Sequence, residues 1–177
     1  MYAPRGDDRW ALFLTNRDEM DTTADLTNWL QVGGNVANTN ARYTKPDVSA
    51  FGQTIIYGPY GDTPRWAGTA FVQTKYKMDR FAEVVFRADV YSQTAQYFSN
   101  TAATITPDTK LPSYSLTNLR LDLNNLGQSN VSLGFFVRNL FDKIYYIGGE
   151  PIGSTFDLNI GIPGLPRTFG LECSIKF

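Results

Sequence analysis

The sequence predicts an all-β protein: an antiparallel up-and-down meander of about seven strands, of the kind that occurs in transmembrane β-barrels. Three observations predict this fold. Apolar and polar residues alternate with a period of two along at least five segments, as side chains do on a strand. Long and short connections alternate, as in barrels whose short turns lie on one rim. Aromatic residues make up 14% of the chain and charged residues only 19%.

The first 64 residues are expected to contribute two strands, at residues 10–16 and 29–43. In the second, Gly33 and Gly34 interrupt the alternation and suggest a β-bulge. The acidic residues 18–21 are expected to form a solvated loop, because they lack the spacing of a calcium-binding loop. Residues 1–25 are therefore an unassigned segment with one possible strand, and residues 26–177 form the barrel portion.

The last five strands show clearer alternation. Leu119, Leu121 and Leu123 share one side of their strand, and Arg120 and Asp122 share the other. The five predicted strands occupy residues 66–78, 82–90, 114–125, 131–138 and 168–177. Short turns are expected at residues 79–81 and 125–129, and long loops rich in glycine and proline at residues 44–64, 98–113 and 147–166.

The apolar side of these strands faces either a protein core or lipid. Trp66 and Tyr76 lie on the same side, ten residues apart, which spans about 25 Å of barrel height on a tilted strand. They are predicted to belong to an aromatic girdle. Gly68 and Ala70 beside Trp66 make a surface of uneven size, which lipid tolerates better than a close-packed core.

The opposite side carries charges of both signs, which would line a polar lumen. These residues are Glu83, Arg87, Asp89, Arg120, Asp122, Arg138, Glu172 and Lys176. Two alternatives remain open at this point. In a soluble β-sandwich or a lipocalin-like binding module, the same charges would face water, and in a porin-like barrel they would line a diffusive channel.

Composition excludes several classes of function. The chain has 177 residues, a net charge of −1 and no histidine, so catalysis by Ser-His-Asp or Cys-His groups and zinc sites with histidine ligands are excluded. The chain has no excess of basic residues of the kind that indicates a nucleic-acid partner. Cys173 is the single cysteine, so there is no internal disulfide. We predict a protein that is not an enzyme and has no cofactor, metal or catalytic residue.

Neither a transmembrane helix nor a signal peptide is expected. No apolar run approaches the roughly 18 residues of a spanning helix, and residues 1–8 contain no apolar stretch of the kind that precedes a cleavage site.

The segment Asn139-Leu140-Phe141-Asp142-Lys143-x-Tyr145 resembles a recurrent motif of TonB-dependent outer-membrane receptors. In that family the motif ends the penultimate barrel strand, and a glycine-rich external loop follows. The closing strand begins with Pro-Arg-Thr-Phe-Gly, which here occupies residues 166–170. The resemblance covers about residues 26–177.

The resemblance implies energy-coupled uptake of a scarce ligand, a metal-siderophore, vitamin or glycan, across the outer membrane of a Gram-negative bacterium. Family barrels have about 22 strands around a plugged lumen. With about seven strands and no segment resembling a plug or a TonB box, the chain is expected to be a C-terminal fragment, and the resemblance implies that its meander is part of a large transmembrane β-barrel. It would reach TonB only through the missing N-terminal part and would not transport on its own.

The final strand resembles the signal recognised by the barrel-assembly machinery, which captures strands by edge pairing. Its alternating apolar residues are expected to form a ladder facing outer-membrane lipid. They are Phe169, Leu171, Cys173, Ile175 and Phe177. In the external loops, Tyr57, Tyr60, Tyr146 and Arg167 are candidates for ligand contact.

Overall fold

The fold comes from a computed structural model that describes residues 13–43, 47–50, 53–58, 60–99, 108–152 and 156–176. Thirteen strands, numbered in chain order, make up most of this part. They are β1 Phe13–Asp25, β2 Leu30–Tyr43, β3 Asp47–Ala50, β4 Gln53–Ile56, β5 Trp66–Met78, β6 Ala82–Gln93, β7 Gln96–Tyr97, β8 Lys110–Leu111, β9 Tyr114–Asn124, β10 Val131–Arg138, β11 Tyr146–Glu150, β12 Ile160–Pro163 and β13 Thr168–Ile175. One short 3-10 turn, Leu126–Gln128, joins β9 to β10.

Seven long strands form one antiparallel sheet in the order β1-β2-β5-β6-β9-β10-β13. Each strand is paired with the next long strand of the chain, so the predicted all-β meander of about seven strands is confirmed. Short connections lie at one end of the sheet, at residues 26–29, 79–81 and 125–130. The connections at the other end are long, and each contains a two-stranded hairpin. We call these the turn end and the loop end.

The first strand differs from the prediction. It begins at Phe13 in the described part and continues to Asp25, and residues 10–12 lie outside the described residues. The acidic residues 18–21, expected in a loop, are therefore part of β1. This strand has little apolar alternation of its own, but all thirteen of its residues pair with β2. Pairing with a neighbour forms the strand, and a local pattern cannot show such pairing.

No bulge interrupts β2 at Gly33 and Gly34. Both glycines keep the same register with β1 on one side and β5 on the other. A Cβ on Gly33 would lie 2.7 Å from two ring carbons of Phe71. The glycine leaves room for that ring, so the interruption of the alternation reflects packing on one side of the sheet.

The register keeps apolar residues on one side through all seven strands. A single row of paired residues crosses the whole sheet. It consists of Ala24, Val32, Val72, Ala88, Leu119, Val137 and Phe169. We call this side the apolar face, and the side that carries Arg87, Arg120 and Glu172 the polar face.

No second layer covers the apolar face within the described part of the chain. The only buried apolar side chains found there are Ala82, Phe98 and Leu111. None of the three belongs to the middle of the apolar face, where Val72, Phe86 and other large side chains are exposed. A β-sandwich or lipocalin would bury this face in its core. Among the described residues, no helix has the length and apolar character needed to span a membrane.

Candidate functional site

The predicted motif at residues 139–145 forms a clasp at the loop end of the sheet. Asn139 follows directly after β10, has a φ of 52° and is only 4% exposed. Asparagine tolerates this left-handed backbone better than most residues. Its Nδ2 donates to the carbonyl oxygens of Lys143 and Leu165, at 2.9 and 3.2 Å, and its Oδ1 accepts from the Lys143 N–H at 2.8 Å. One side chain thus holds both ends of the third long loop.

The rest of the motif fastens this clasp to the neighbouring strands. The Leu140 N–H donates to the carbonyl oxygen of Thr117 on β9 at 2.8 Å. Asp142 Oδ1 accepts from the Arg167 N–H at 2.9 Å, just before β13 begins. Phe141, by contrast, is 76% exposed and contributes little to the clasp.

Two clusters of tyrosines lie at the loop end, on or near the polar face. In the first, the Tyr114 ring centroid lies 6.0 Å from that of Tyr91 and 4.6 Å from that of Tyr145. In the second, the Tyr43 ring stacks on that of Tyr57 at 4.8 Å and lies 5.7 Å from that of Tyr60. Clustered phenol rings offer flat apolar surfaces with polar edges, which suits aromatic or amphipathic ligands.

An open pocket of about 290 Å³ lies between the three long loops and the end of β2. We call it the loop pocket. It is lined by Tyr43, Tyr60, Gly61, Asp62, Phe98, Ser99 and Pro151. The Phe98 side of this pocket is firmly packed. Phe98 and Leu111 are buried, and Gly149 packs directly against the Phe98 ring. The Asp62 N–H donates to the carbonyl oxygen of Tyr97 at 2.6 Å and joins the first loop to the second.

The four loop residues predicted to contact a ligand are not all brought together. Tyr60 lines the loop pocket and Tyr57 stacks on Tyr43 beside it. Tyr146 packs against Gly161 in the β11–β12 hairpin, and Arg167 lies over the Phe169 ring on the apolar side. Sequence reasoning missed Tyr43, although its odd position in β2 places it on the polar face.

The polar face contains a network of charged residues. Arg87 and Arg120 are directly opposite each other on β6 and β9, and like charges so placed repel. Each guanidinium instead contacts a ring or a carboxylate. The Arg87 guanidinium carbon lies 3.8 Å from the Phe71 ring centroid. Arg120 Nη2 lies 2.8 Å from Asp122 Oδ1 and 2.7 Å from Glu172 Oε2.

The other predicted residues lie on the apolar face. Trp66 and Tyr76 stand near opposite ends of β5 and are 48% and 69% exposed. The β13 residues Phe169, Leu171, Cys173 and Ile175 continue the apolar pattern of β10 through their pairing with it. Phe177 lies outside the described residues. In the described ranges, no group of three or more acidic or cysteine side chains is placed to hold a metal ion.

Three solved structures have the same fold over most of this chain. The siderophore receptor PiuA from Acinetobacter baumannii matches 91% of the chain, with 16% identity and a TM-score of 0.65. The ferric yersiniabactin uptake receptor FyuA from Yersinia pestis matches 93%, with 17% identity and a TM-score of 0.73. The ferric-catecholate import receptor Fiu from K12 E. coli matches 88%, with 24% identity and a TM-score of 0.62.

The chain spans about a fifth to a quarter of each receptor, at 21%, 24% and 20% of their lengths. No known protein-family profile matches the sequence, and no curated protein does. The similarity at these identities is a similarity of fold. The seven-stranded meander therefore has the fold of one part of these three receptors.

Proposed function

We propose that residues 26–177 form the C-terminal barrel portion of a TonB-dependent receptor in the outer membrane of a Gram-negative bacterium. The observation that carries this proposal is the uncovered apolar face of a seven-stranded meander whose fold matches three receptors. In this arrangement the apolar face contacts lipid and the polar face lines the lumen. β1 extends the same sheet by one strand.

A ferric siderophore is the ligand class we propose. The three structural neighbours are named for siderophores or ferric ligands. The loop pocket adds support, since tyrosine and phenylalanine rings, the Ser99 hydroxyl and the Asp62 carboxylate line it. Rings of this kind stack on aromatic chelating groups, while hydroxyls hydrogen-bond their oxygens. Vitamins and glycans are the competing classes.

The isolated chain is not expected to transport. In the described part, β1 and β13 are the two ends of the sheet, each paired on one side only. Seven strands with two open edges enclose no lumen, and transport would require the additional strands and plug of the whole receptor. We propose that β13 serves as the strand recognised by the barrel-assembly machinery, through its row of exposed apolar residues.

The test uses cells without other siderophore receptors that express the whole receptor containing this chain. Uptake of radioactive iron is measured with catecholate, phenolate and hydroxamate siderophores, with and without a protonophore. We expect iron uptake with one class of siderophore, and we expect the protonophore to abolish this uptake. Uptake that persists with the protonophore would indicate a diffusive porin, and uptake of cobalamin or oligosaccharide instead of iron would refute the ligand class.

A further inference from the structure

A shallow groove lies in the apolar face between β6 and β13. Its volume is about 250 Å³. Three phenylalanine rings and three aliphatic side chains dominate its lining. They are Phe86, Leu119, Leu121, Phe135, Val137 and Phe169. The neighbouring apolar face of β5, β6, β9, β10 and β13 has neither a carboxylate nor a cation. A groove of this lining accommodates a hydrocarbon chain.

An arginine stands at the loop end of this groove. The Arg167 guanidinium carbon lies 5.7 Å from the ring centroid of Phe169, which is itself part of the lining. Arg167 Nη1 donates to the carbonyl oxygen of Leu140 at 3.3 Å. These two contacts hold the guanidinium at the end of the apolar face and leave its other N–H groups available.

The clasp also brings the backbone of a lysine close to the segment that carries this arginine. Asn139 binds the carbonyl oxygens of both Lys143 and Leu165, and Leu165 lies two residues before Arg167. Both cations belong to exposed residues. Within the described ranges, no carboxylate lies within 4.0 Å of either cation. The Asp142 carboxylate accepts the backbone N–H of Arg167.

We propose that this groove and its two cations form a binding site for one membrane lipid with a phosphate head group. An acyl chain would lie in the groove and the phosphate between Arg167 and Lys143. A guanidinium binds phosphate oxygens through paired N–H groups, and an ammonium adds a point charge. The occupant is a lipid because an acyl chain in the groove would place its head group at the end of the groove, where the two cations lie. This inference rests on the proposed function, which puts the apolar face in a membrane.

Native mass spectrometry of the whole receptor that contains this chain, in detergent micelles, tests the site. The receptor is titrated with phosphatidylglycerol and with phosphatidylcholine of the same acyl chains, and the bound copies are counted. We expect one phosphatidylglycerol molecule to be retained in preference to phosphatidylcholine. Because a cation near an anionic lipid surface changes affinity about fivefold, K143Q and R167Q together should reduce the preference by more than tenfold, while R167K keeps most of it.

Two further variants separate the groove from simple charge. R138Q is the matched control, since Arg138 pairs with Thr168 beside Arg167 but contacts Phe136 on the polar face. It should retain the preference. V137W fills the groove and should weaken binding although both cations remain. Inorganic phosphate should compete poorly.

Several outcomes would overturn the site. These are equal retention of the two lipids, the same loss in R138Q as in the double variant, no effect of V137W, or full competition by inorganic phosphate. Such results would leave the proposed function intact, because the chain would still associate with the micelles. A whole receptor that enters neither detergent nor lipid would refute the membrane assignment and the lipid site together.

Discussion

Arg120 on β9 reaches across β10 to Glu172 on β13, with 2.7 Å between Nη2 and Oε2. The residue that it crosses is Gly134, which pairs with Asp122 on one side and with Glu172 on the other. A Cβ on Gly134 would lie 2.8 Å from both Arg120 Nη2 and Asp122 Oδ1. Both ion pairs of Arg120 therefore depend on a missing side chain, and the pair with Glu172 joins β9 to β13 across β10.

Replacing Gly134 is expected to destabilise the sheet more than removing the ion pairs. Arg120 and Glu172 have side chains 40% and 52% exposed, so R120Q should lower the free energy of unfolding by about 1 kcal/mol or less and E172Q should change it little. G134V must displace both Arg120 and Asp122, and should cost about 1–3 kcal/mol. Urea unfolding in micelles, followed by circular dichroism, measures these differences.

A double-mutant cycle gives the control for this prediction. Once R120Q has shortened the crossing side chain, G134V should cost less than it does alone, since part of the clash is gone. Strictly additive effects of the two substitutions would contradict the contact.

Asn139 is predicted to be the most sensitive residue of the motif. N139A loses the hydrogen bonds of a buried amide and places alanine at a φ of 52°. The loss should lower the free energy of unfolding by about 2–4 kcal/mol. N139G, which accepts this backbone, should cost less. F141A changes an exposed side chain and should be nearly neutral. An F141A effect as large as that of N139A would be inconsistent with the clasp.

Arginine substitutions should distinguish the two faces of β6. Ala88 lies on the apolar face between Val72 and Leu119, whereas Val85 lies on the polar face opposite Lys75 and Asp122. In a barrel, A88R should cost about 2–4 kcal/mol because it puts a cation into lipid near mid-membrane. V85R should cost less, as it can pair with Asp122. Folding into vesicles with a urea titration measures both, and equal costs would refute the assignment of the faces.

The single native cysteine allows a direct test of what the apolar face contacts. Cys173 is exposed on this face of β13. A nitroxide spin label attached there, in the chain inserted in vesicles, should show high accessibility to oxygen and low accessibility to a water-soluble nickel chelate. A label at Ser174 in a C173S/S174C variant should show the opposite. High nickel accessibility at position 173 would favour a soluble protein.

Ligand binding is expected to depend on the loop pocket. In the whole receptor, Y60A should weaken ferric-siderophore binding by about tenfold, in keeping with the roughly 1–2 kcal/mol that an aromatic contact contributes. Y76A alters a tyrosine on the apolar face, far along β5 from the loops, and serves as the control. Tryptophan fluorescence quenching by the ferric ligand measures both affinities, and unchanged affinity in Y60A would exclude the pocket.

The sequence by itself determined the alternation of the last five strands, their short turns and long loops, and the motif at residues 139–145. These features are local, since the side of a strand and the residue types of a turn are set within a few positions. From them follow the all-β class, the seven-stranded meander and the expectation of a receptor barrel.

Only the tertiary structure decided the features that depend on neighbouring strands. β1 exists through its pairing with β2, and Gly33 makes room for Phe71, which stands 38 positions later in the sequence. The loop pocket combines residues from β2 and three separate loops, and the groove in the apolar face combines residues from four strands. Alternation shows which side of a strand a residue occupies, but register decides which residues meet across the sheet.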